Sequence, residues 1–354
     1  MGESPMNAFI AKGMTATVAP YSPPWWTNGH LQILLTFLVP QAPIQYTREV
    51  LTLQDGGQAA LDWATDTNNS LEDDTPIVVI LHGLTGCSAS MRSLCAEALT
   101  HGYRPVVFNK RGHGGMKLTT PTLQAFGCVK DLTEALVHIE RSFPNSNALY
   151  GIGMSAGSGL LSSYLGETGP KSRLAAGVLI SPGYNALDLF ALGRIHRVYD
   201  FLMTFSLKRL LLEHQDVLHK VVDVPAALRT TRIRDFDAHV YMKLHGYDDL
   251  VAYWADNNPA RALDRIAKPT LCINALDDPV CTKENIAYDQ FERNPISMLL
   301  ETREGSHCAF FEQQGNGVSS SFSLTSWANT AAMAYLDQVR EYQGQQQRNY
   351  KAAK

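Results

Sequence analysis

Three side chains with the potential for acyl-transfer chemistry stand far apart in the chain: a serine, an aspartate and a histidine. Ser155 lies in Gly153-Met154-Ser155-Ala156-Gly157, where the apolar run starting at Leu149 turns sharply before continuing as a helix. A serine on a tight strand-to-helix turn occupies a strained backbone region, and glycines two positions to either side remove side chains that would collide with it. Its hydroxyl then stands clear of the sheet at a helix N-terminus, whose free N–H groups can face a developing negative charge. The pentapeptide alone is also what a Gly/Ser/Ala helix-packing run produces, so the rest of the machinery must be found elsewhere.

That machinery is a base to take the serine proton, a group to orient the base, and donors for the oxyanion. His307, in Glu304-Gly305-Ser306-His307-Cys308-Ala309-Phe310-Phe311, falls after the last strand of the main pattern and before the closing helix, where it can reach over the sheet edge. Asp277 and Asp278 directly follow the apolar strand Pro269–Ala275, and a carboxylate there can accept the second imidazole N–H. Asp278 is assigned that role because the acid ordinarily comes three residues after the small residue ending the strand, here Ala275; Asp277 is the alternative. The chain order Ser, Asp, His suits a nucleophile on a strand-to-helix elbow. The N–H groups of Leu84, in His82-Gly83-Leu84, and of Ala156 are the candidate oxyanion donors, each typically worth about 3 to 4 kcal/mol in the transition state.

Other chemistries find less support. His113, in Arg111-Gly112-His113-Gly114-Gly115, has no partner at zinc spacing, and that loop lacks both the P-loop lysine and a Rossmann fingerprint. No metal and no cofactor are expected. None of the eleven histidines has an aspartate five residues on, which removes one acyltransferase signature. Transfer of the acyl group to an alcohol remains a rival to hydrolysis, and a non-catalytic ligand-binding module on the same scaffold is a second rival.

These residues need a scaffold that brings strand ends together. Ile77–Leu81 is wholly apolar and β-branched, as a strand buried on both faces should be, and strand and helix patterns alternate from there to Ser181. The expectation is an α/β fold with a doubly wound, mostly parallel sheet whose ligands sit at the carboxyl ends of the strands. Residues 1–47 read as an irregular arm, with Trp25, Trp26 and His30 packing on the core. Residues 48–182 and 267–342 read as the sheet domain, opened by a hairpin around Asp55-Gly56-Gly57. Residues 183–266 read as an inserted helical cap, including a long helical stretch from Leu187 to Leu212, and residues 343–354 as a frayed polar tail.

Composition narrows the partners. The chain has 354 residues, 45% of them hydrophobic, which is ample for a core, and a net charge of −4 with no basic stripe, which argues against nucleic acid. Its six cysteines form no Cys-x-x-Cys pair, so reduced thiols are expected. The first residues lack a secretory or lipidation pattern, and Leu31–Val39 is too short to cross a bilayer. A cytoplasmic protein acting on a small-molecule ester with an apolar acyl chain is the expectation, with peripheral membrane contact through the cap left open.

The motifs resemble the α/β-hydrolase family, specifically the branch holding YheT-like hydrolases, abhydrolase-domain proteins and yeast medium-chain ethyl ester synthase/esterases. The resemblance is carried by PPWWTNGHLQ, Leu61-Asp62-Trp63, HGLTG, Asn109-Lys110-Arg111-Gly112, Tyr164-Leu165-Gly166-Glu167, Arg234-Asp235-Phe236-Asp237, Tyr253-Trp254, NALDDP and GSHCAFFE. It implies an α/β-hydrolase fold and a serine esterase in which Ser155, Asp278 and His307 match the family triad. The chain departs from the family pattern at Ala156-Gly157-Ser158-Gly159 and at Tyr253-Trp254, in the elbow and the cap. Substrate preference is therefore less determined by the resemblance than reaction type.

Overall fold

The computed structural model describes residues 4–65, 71–314 and 323–352. Eight strands form one sheet: β1 (Gln45–Thr52), β2 (Gln58–Thr65), β3 (Ile77–Leu81), β4 (Arg104–Asn109), β5 (Leu149–Met154), β6 (Leu174–Ile180), β7 (Thr270–Ala275) and β8 (Ser297–Thr302). They lie in the order β1-β2-β4-β3-β5-β6-β7-β8. The β1–β2 and β2–β4 pairs are antiparallel, and every other pair is parallel. This is the α/β-hydrolase fold. The hairpin around Asp55-Gly56-Gly57 joins β1 to β2; Gly56 has φ +80, which favours glycine there, and Asp55 Oδ1 accepts the Gly57 N–H at 2.9 Å.

Period-two alternation divides each central strand between two helical layers. Val78, Ile80, Ile152, Val178 and Ile273 pack with α3 (Arg92–Thr100), the long closing helix Trp327–Ala352, and α1 (Pro5–Thr17). Their neighbours Ile77, Val79, Leu81, Phe108 and Leu179 pack with α4 (Lys130–Ser142) and α5 (Ala156–Thr168). All five residues of β3 are buried, as a run without polar residues requires.

Between β6 and β7 the chain is helical: α6 (Arg197–Glu213), α7 (Gln215–Leu218), α8 (Val224–Arg229), α9 (Ile233–His239), α10 (Tyr241–Leu244) and α11 (Leu250–Asn257). They build an apolar cluster of their own around Leu207, Leu211, Phe236, Tyr253 and Trp254. The continuous stretch expected from Leu187 to Leu212 is broken, since Gly193 at φ +70 interrupts it and α6 starts only at Arg197. After β7 come α12 (Tyr288–Arg293), β8, and a hairpin of β9 (Phe311–Gln314) with β10 (Ser323–Ser326) that sequence reasoning did not foresee. The closing helix is α13.

Three expectations are corrected at the chain ends. The arm is not irregular: Ser4 Oγ accepts the Asn7 N–H at 3.0 Å to start α1, Ile10 and Met14 bury one face of that helix, and α2 (Gly29–Leu35) follows. Helix α13 continues to Ala352 where fraying was expected, with α1 alongside it through Phe9 and Tyr342, their rings 5.4 Å apart. Trp25 does not pack on the core, being 93% exposed, and the exposed His30 stacks instead on Tyr199 of α6 and bonds its hydroxyl at 2.8 Å. Among the described residues no helix is long and apolar enough to cross a membrane, and all six cysteines are free thiols.

Candidate active site

The turn between β5 and α5 holds Ser155 at φ 53 and ψ −120, with its N–H bonded to the Ile180 carbonyl at 2.9 Å. The flanking glycines are sterically required. A Cβ on Gly153 would lie 2.5 Å from the Gly157 carbonyl oxygen, and one on Gly157 only 2.1 Å from that of Leu81. Strain recurs at this end of the sheet: Ser181, Ser306, Cys308 and Phe310 also have positive φ, and no other described non-glycine residue does besides Ser155. Such backbone persists only where its surroundings over-determine it.

The structure brings Ser155, His307 and Asp278 together. His307 Nε2 lies 2.7 Å from Ser155 Oγ, and its Nδ1 lies 2.8 Å from Asp278 Oδ2. Asp278 is 4% exposed, and its other oxygen accepts the N–H groups of Val280 and Cys281 at 2.8 and 2.9 Å. Asp277 has a different place: its Oδ1 accepts the Ser306 N–H at 2.8 Å, which steadies the loop carrying His307. Burial alone would lower the His307 pKa, but the Asp278 carboxylate outweighs it and holds the imidazolium well above its ordinary range. Asp278, Cys281 and His307 also bring potential ligand atoms within 4.8 Å of one another. A cation entering there would have to displace the imidazole–carboxylate hydrogen bond.

The loop after β3 lies against the serine, since a Cβ on Gly83 would be 3.6 Å from Ser155 Cβ. It is gripped by residues that sequence reasoning left without a role. His82 Nε2 accepts the Lys110 N–H at 3.4 Å, which assigns the ring proton to Nδ1, and Nδ1 donates to the Gly83 carbonyl at 2.8 Å. Lys110 Nζ donates to the carbonyls of Gly83 and Leu84 at 3.2 and 3.1 Å. His113 Nε2 lies 3.1 Å from the Leu84 carbonyl and its Nδ1 3.0 Å from that of Arg111; a neutral ring can donate to only one of them. Burial takes the Lys110 pKa down to about 7, and burial with the Lys110 charge takes His113 down to about 3. The C=O and N–H of one trans peptide point in opposite directions. Holding the Gly83 carbonyl toward His82 and Lys110 therefore fixes the direction of the Leu84 N–H. Neither that N–H nor that of Ala156 donates to another described residue.

The loop after β4, which carries Lys110 and His113, is anchored at its base. Asn109 donates to Asp62 at 2.9 Å, and Arg111 forms a fork with Asp131, both bonds 2.7 Å, while reaching Asp55 at 2.8 Å. The arm supports the opposite side. Gln32, 1% exposed, accepts the Phe311 N–H at 3.0 Å and donates to the Tyr21 hydroxyl at 2.8 Å, and that hydroxyl donates to the Phe311 carbonyl at 3.1 Å. Ser306 Oγ donates to the Gly29 carbonyl at 2.5 Å. Side chain to backbone bonds of this kind have no characteristic spacing, and the repeated aromatic and amide residues of the arm were their only sequence signal.

A doubly wound sheet with a serine at the β5–α5 elbow, a histidine after β8 and an acid after β7 defines the α/β-hydrolase class. Comparison with known proteins agrees: a family model described as the alpha/beta hydrolase fold matches residues 76–314, and the chain belongs to this family, in its abhydrolase-domain branch. Human Protein ABHD15 is 33% identical over 301 residues, covering 82% of this chain and 64% of that protein, so the chain spans less than two thirds of that relative. Human Phospholipase ABHD3 is 31% identical over 324 residues, covering 88% of this chain and 78% of that protein. A crystal structure of puromycin hydrolase superposes with a TM-score of 0.51 at 16% identity, covering 84% of this chain and 38% of that one, a likeness of fold alone.

Proposed function

We propose that this protein is a serine hydrolase of carboxylic esters. Ser155 Oγ attacks the ester carbonyl as His307 Nε2 takes its proton. The ester C–O bond then breaks, the alcohol leaves with the proton from His307, and an acyl group remains on Ser155. Water attacks that acyl-enzyme with His307 again as base, releasing the acid and restoring the serine. Asp278 orients His307 and stabilises its charged form, and the N–H groups of Leu84 and Ala156 receive the oxyanion. The helices of residues 183–266 roof the site. The observation carrying this reading is the bridge of one imidazole between Ser155 Oγ and Asp278 at 2.7 and 2.8 Å, and the phospholipase named among the relatives supports ester chemistry.

The test is hydrolysis of p-nitrophenyl esters of increasing acyl length. We expect turnover with an optimum at short to medium chains, and loss of at least about 10³-fold in Ser155→Ala with an unchanged circular dichroism spectrum. Undiminished hydrolysis by folded Ser155→Ala refutes the reading.

A further inference from the structure

Helix α6 carries leucines on the face it buries and a second apolar stripe on the face it exposes. Leu207, Leu210 and Leu211 are buried against the rest of the protein, and Leu207 lines a small cavity together with Leu84 and Ala156. On the outer side Val198, Phe201, Leu202, Phe205 and Leu212 are between 42% and 55% exposed. Their spacing by three and four residues sets them along one stripe about 21 Å long, with Arg209 in its single gap. A surface helix ordinarily turns polar residues outward, so an apolar stripe there marks a surface that meets something other than water. The stripe begins at the catalytic end of the sheet. Ile195, just before α6, packs with Val280 and Cys281 of the loop after Asp278, and the His196 N–H donates to the Pro279 carbonyl at 3.2 Å. The arm joins α6 at the same place, where His30 stacks on Tyr199; Leu34, one turn further along α2, and Phe37 and Leu38 beyond it are exposed as well.

The charges around the stripe identify the partner. Between Leu192 and Leu212 the chain has four basic residues and one acid, Asp200, whose side chain is buried. Arg194 pairs with Asp188 at 3.1 Å, while Arg197, Lys208 and Arg209 have no ion-pair partner among the described residues. This local excess of positive charge stands against a net charge of −4 for the whole chain. Neutral polar groups are missing beside it, since Ser206 Oγ already donates to the Leu202 carbonyl at 3.2 Å. A protein partner would bring about one hydrogen bond per 100–200 Å² of contact, for which the stripe offers no free hydroxyl or amide. Lipid acyl chains need none, and the phosphates above them suit Arg and Lys heads carried on apolar stems. We infer that the outer face of α6, with the exposed residues of α2 beside its start, docks this protein on the surface of an anionic phospholipid bilayer. The helix lies within the headgroup layer, since no described helix is long and apolar enough to cross a membrane. Docking in this way brings the end of α6 next to the Asp278 loop close to the lipid. The inference goes beyond the ester-hydrolase reading and does not depend on it.

The experiment is co-sedimentation of the full chain with vesicles of phosphatidylcholine alone and of phosphatidylcholine containing about 30% phosphatidylglycerol. We expect at least about tenfold stronger partitioning onto the anionic vesicles at low salt, weakened in about 0.5 M sodium chloride. The double variant Phe201→Ser with Phe205→Ser should lose at least about tenfold of that binding through the apolar term. Lys208→Gln with Arg209→Gln should lose the difference between the two vesicle types while leaving the residual binding to phosphatidylcholine. All four side chains are at the surface, and thermal melting verifies that each variant is folded. No binding to either vesicle, equal binding to both, or binding that both double variants retain overturns the inference. So does a dimer in sedimentation velocity that Phe201→Ser with Phe205→Ser dissociates, because a second copy then covers the stripe. None of these outcomes touches the assignment of Ser155, which is read separately by ester hydrolysis.

Discussion

Lys110 brings a cation into the protein at 9% exposure with no described carboxylate paired to it, its Nζ donating only to two carbonyls of the loop against Ser155. An unpaired buried ammonium is costly, and burial has moved its pKa down to about 7. On this account Lys110 is a positioning residue: it holds the peptide planes that aim the Leu84 N–H. Replacing it by Met, similar in volume and uncharged, should leave the melting temperature unchanged or raised. It should lower kcat about tenfold or more with little change in KM, a fraction of the 10²–10³ lost when an oxyanion donor is removed outright. Steady-state kinetics alongside a thermal melt checks this, and a parallel fall in stability and activity would mean that Lys110 is structural only. Ser155, Asp278 and His307 were legible in the sequence because each sits at a strand end with its own spacing. The roles of Lys110, His82 and His113 were not, because a side chain bonded to a backbone carbonyl leaves no pattern along the chain.

Among the elements, the arm contributes most that was unexpected. Its Ser4-Pro5 start is a recognisable helix N-terminus, yet the prolines and tryptophans that follow read as irregular wrapping. What it does is hold the His307 loop from outside through Gln32, Tyr21 and Gly29. Gln32→Ala leaves the buried Phe311 N–H without its acceptor. The expected cost is about 1–3 kcal/mol of stability, together with a several-fold lower kcat as the loop loosens. Chemical denaturation and ester kinetics on the same variant measure both, and unchanged values in each would remove the arm from the account. The β9–β10 hairpin escaped sequence reading because its strands are four residues each, too short to establish a period.

At the scale of the whole molecule, the sheet was readable because strands buried on both faces are predominantly apolar, as β3 and β5 are throughout and β7 is apart from Thr270 and Asn274. The buried charges were not readable. Burial alone would raise the Asp62 pKa, but bonds from Arg48, Ser88 and Asn109 hold it below its usual range. In Asp237 burial prevails, and its carboxyl stays protonated well above that range. The unfolded chain ionises an aspartate near 3.9. Asp237 therefore lowers stability progressively as pH rises from about 4 toward its folded pKa. Asp237→Asn removes this dependence, so its melting temperature should exceed that of the wild type at pH 8 and converge with it at pH 4. Melting curves across that interval decide the matter, and a difference independent of pH would show that Asp237 is ionised in the folded protein.

The central claim is that one serine, activated by one histidine, forms a covalent acyl-enzyme. The most direct measurement is reaction of the folded protein with a fluorophosphonate, followed by intact-mass and peptide mass spectrometry. The account predicts a single adduct on the peptide containing Ser155 and none in Ser155→Ala. An adduct that persists in Ser155→Ala, or a folded wild-type protein that acquires none, would contradict it.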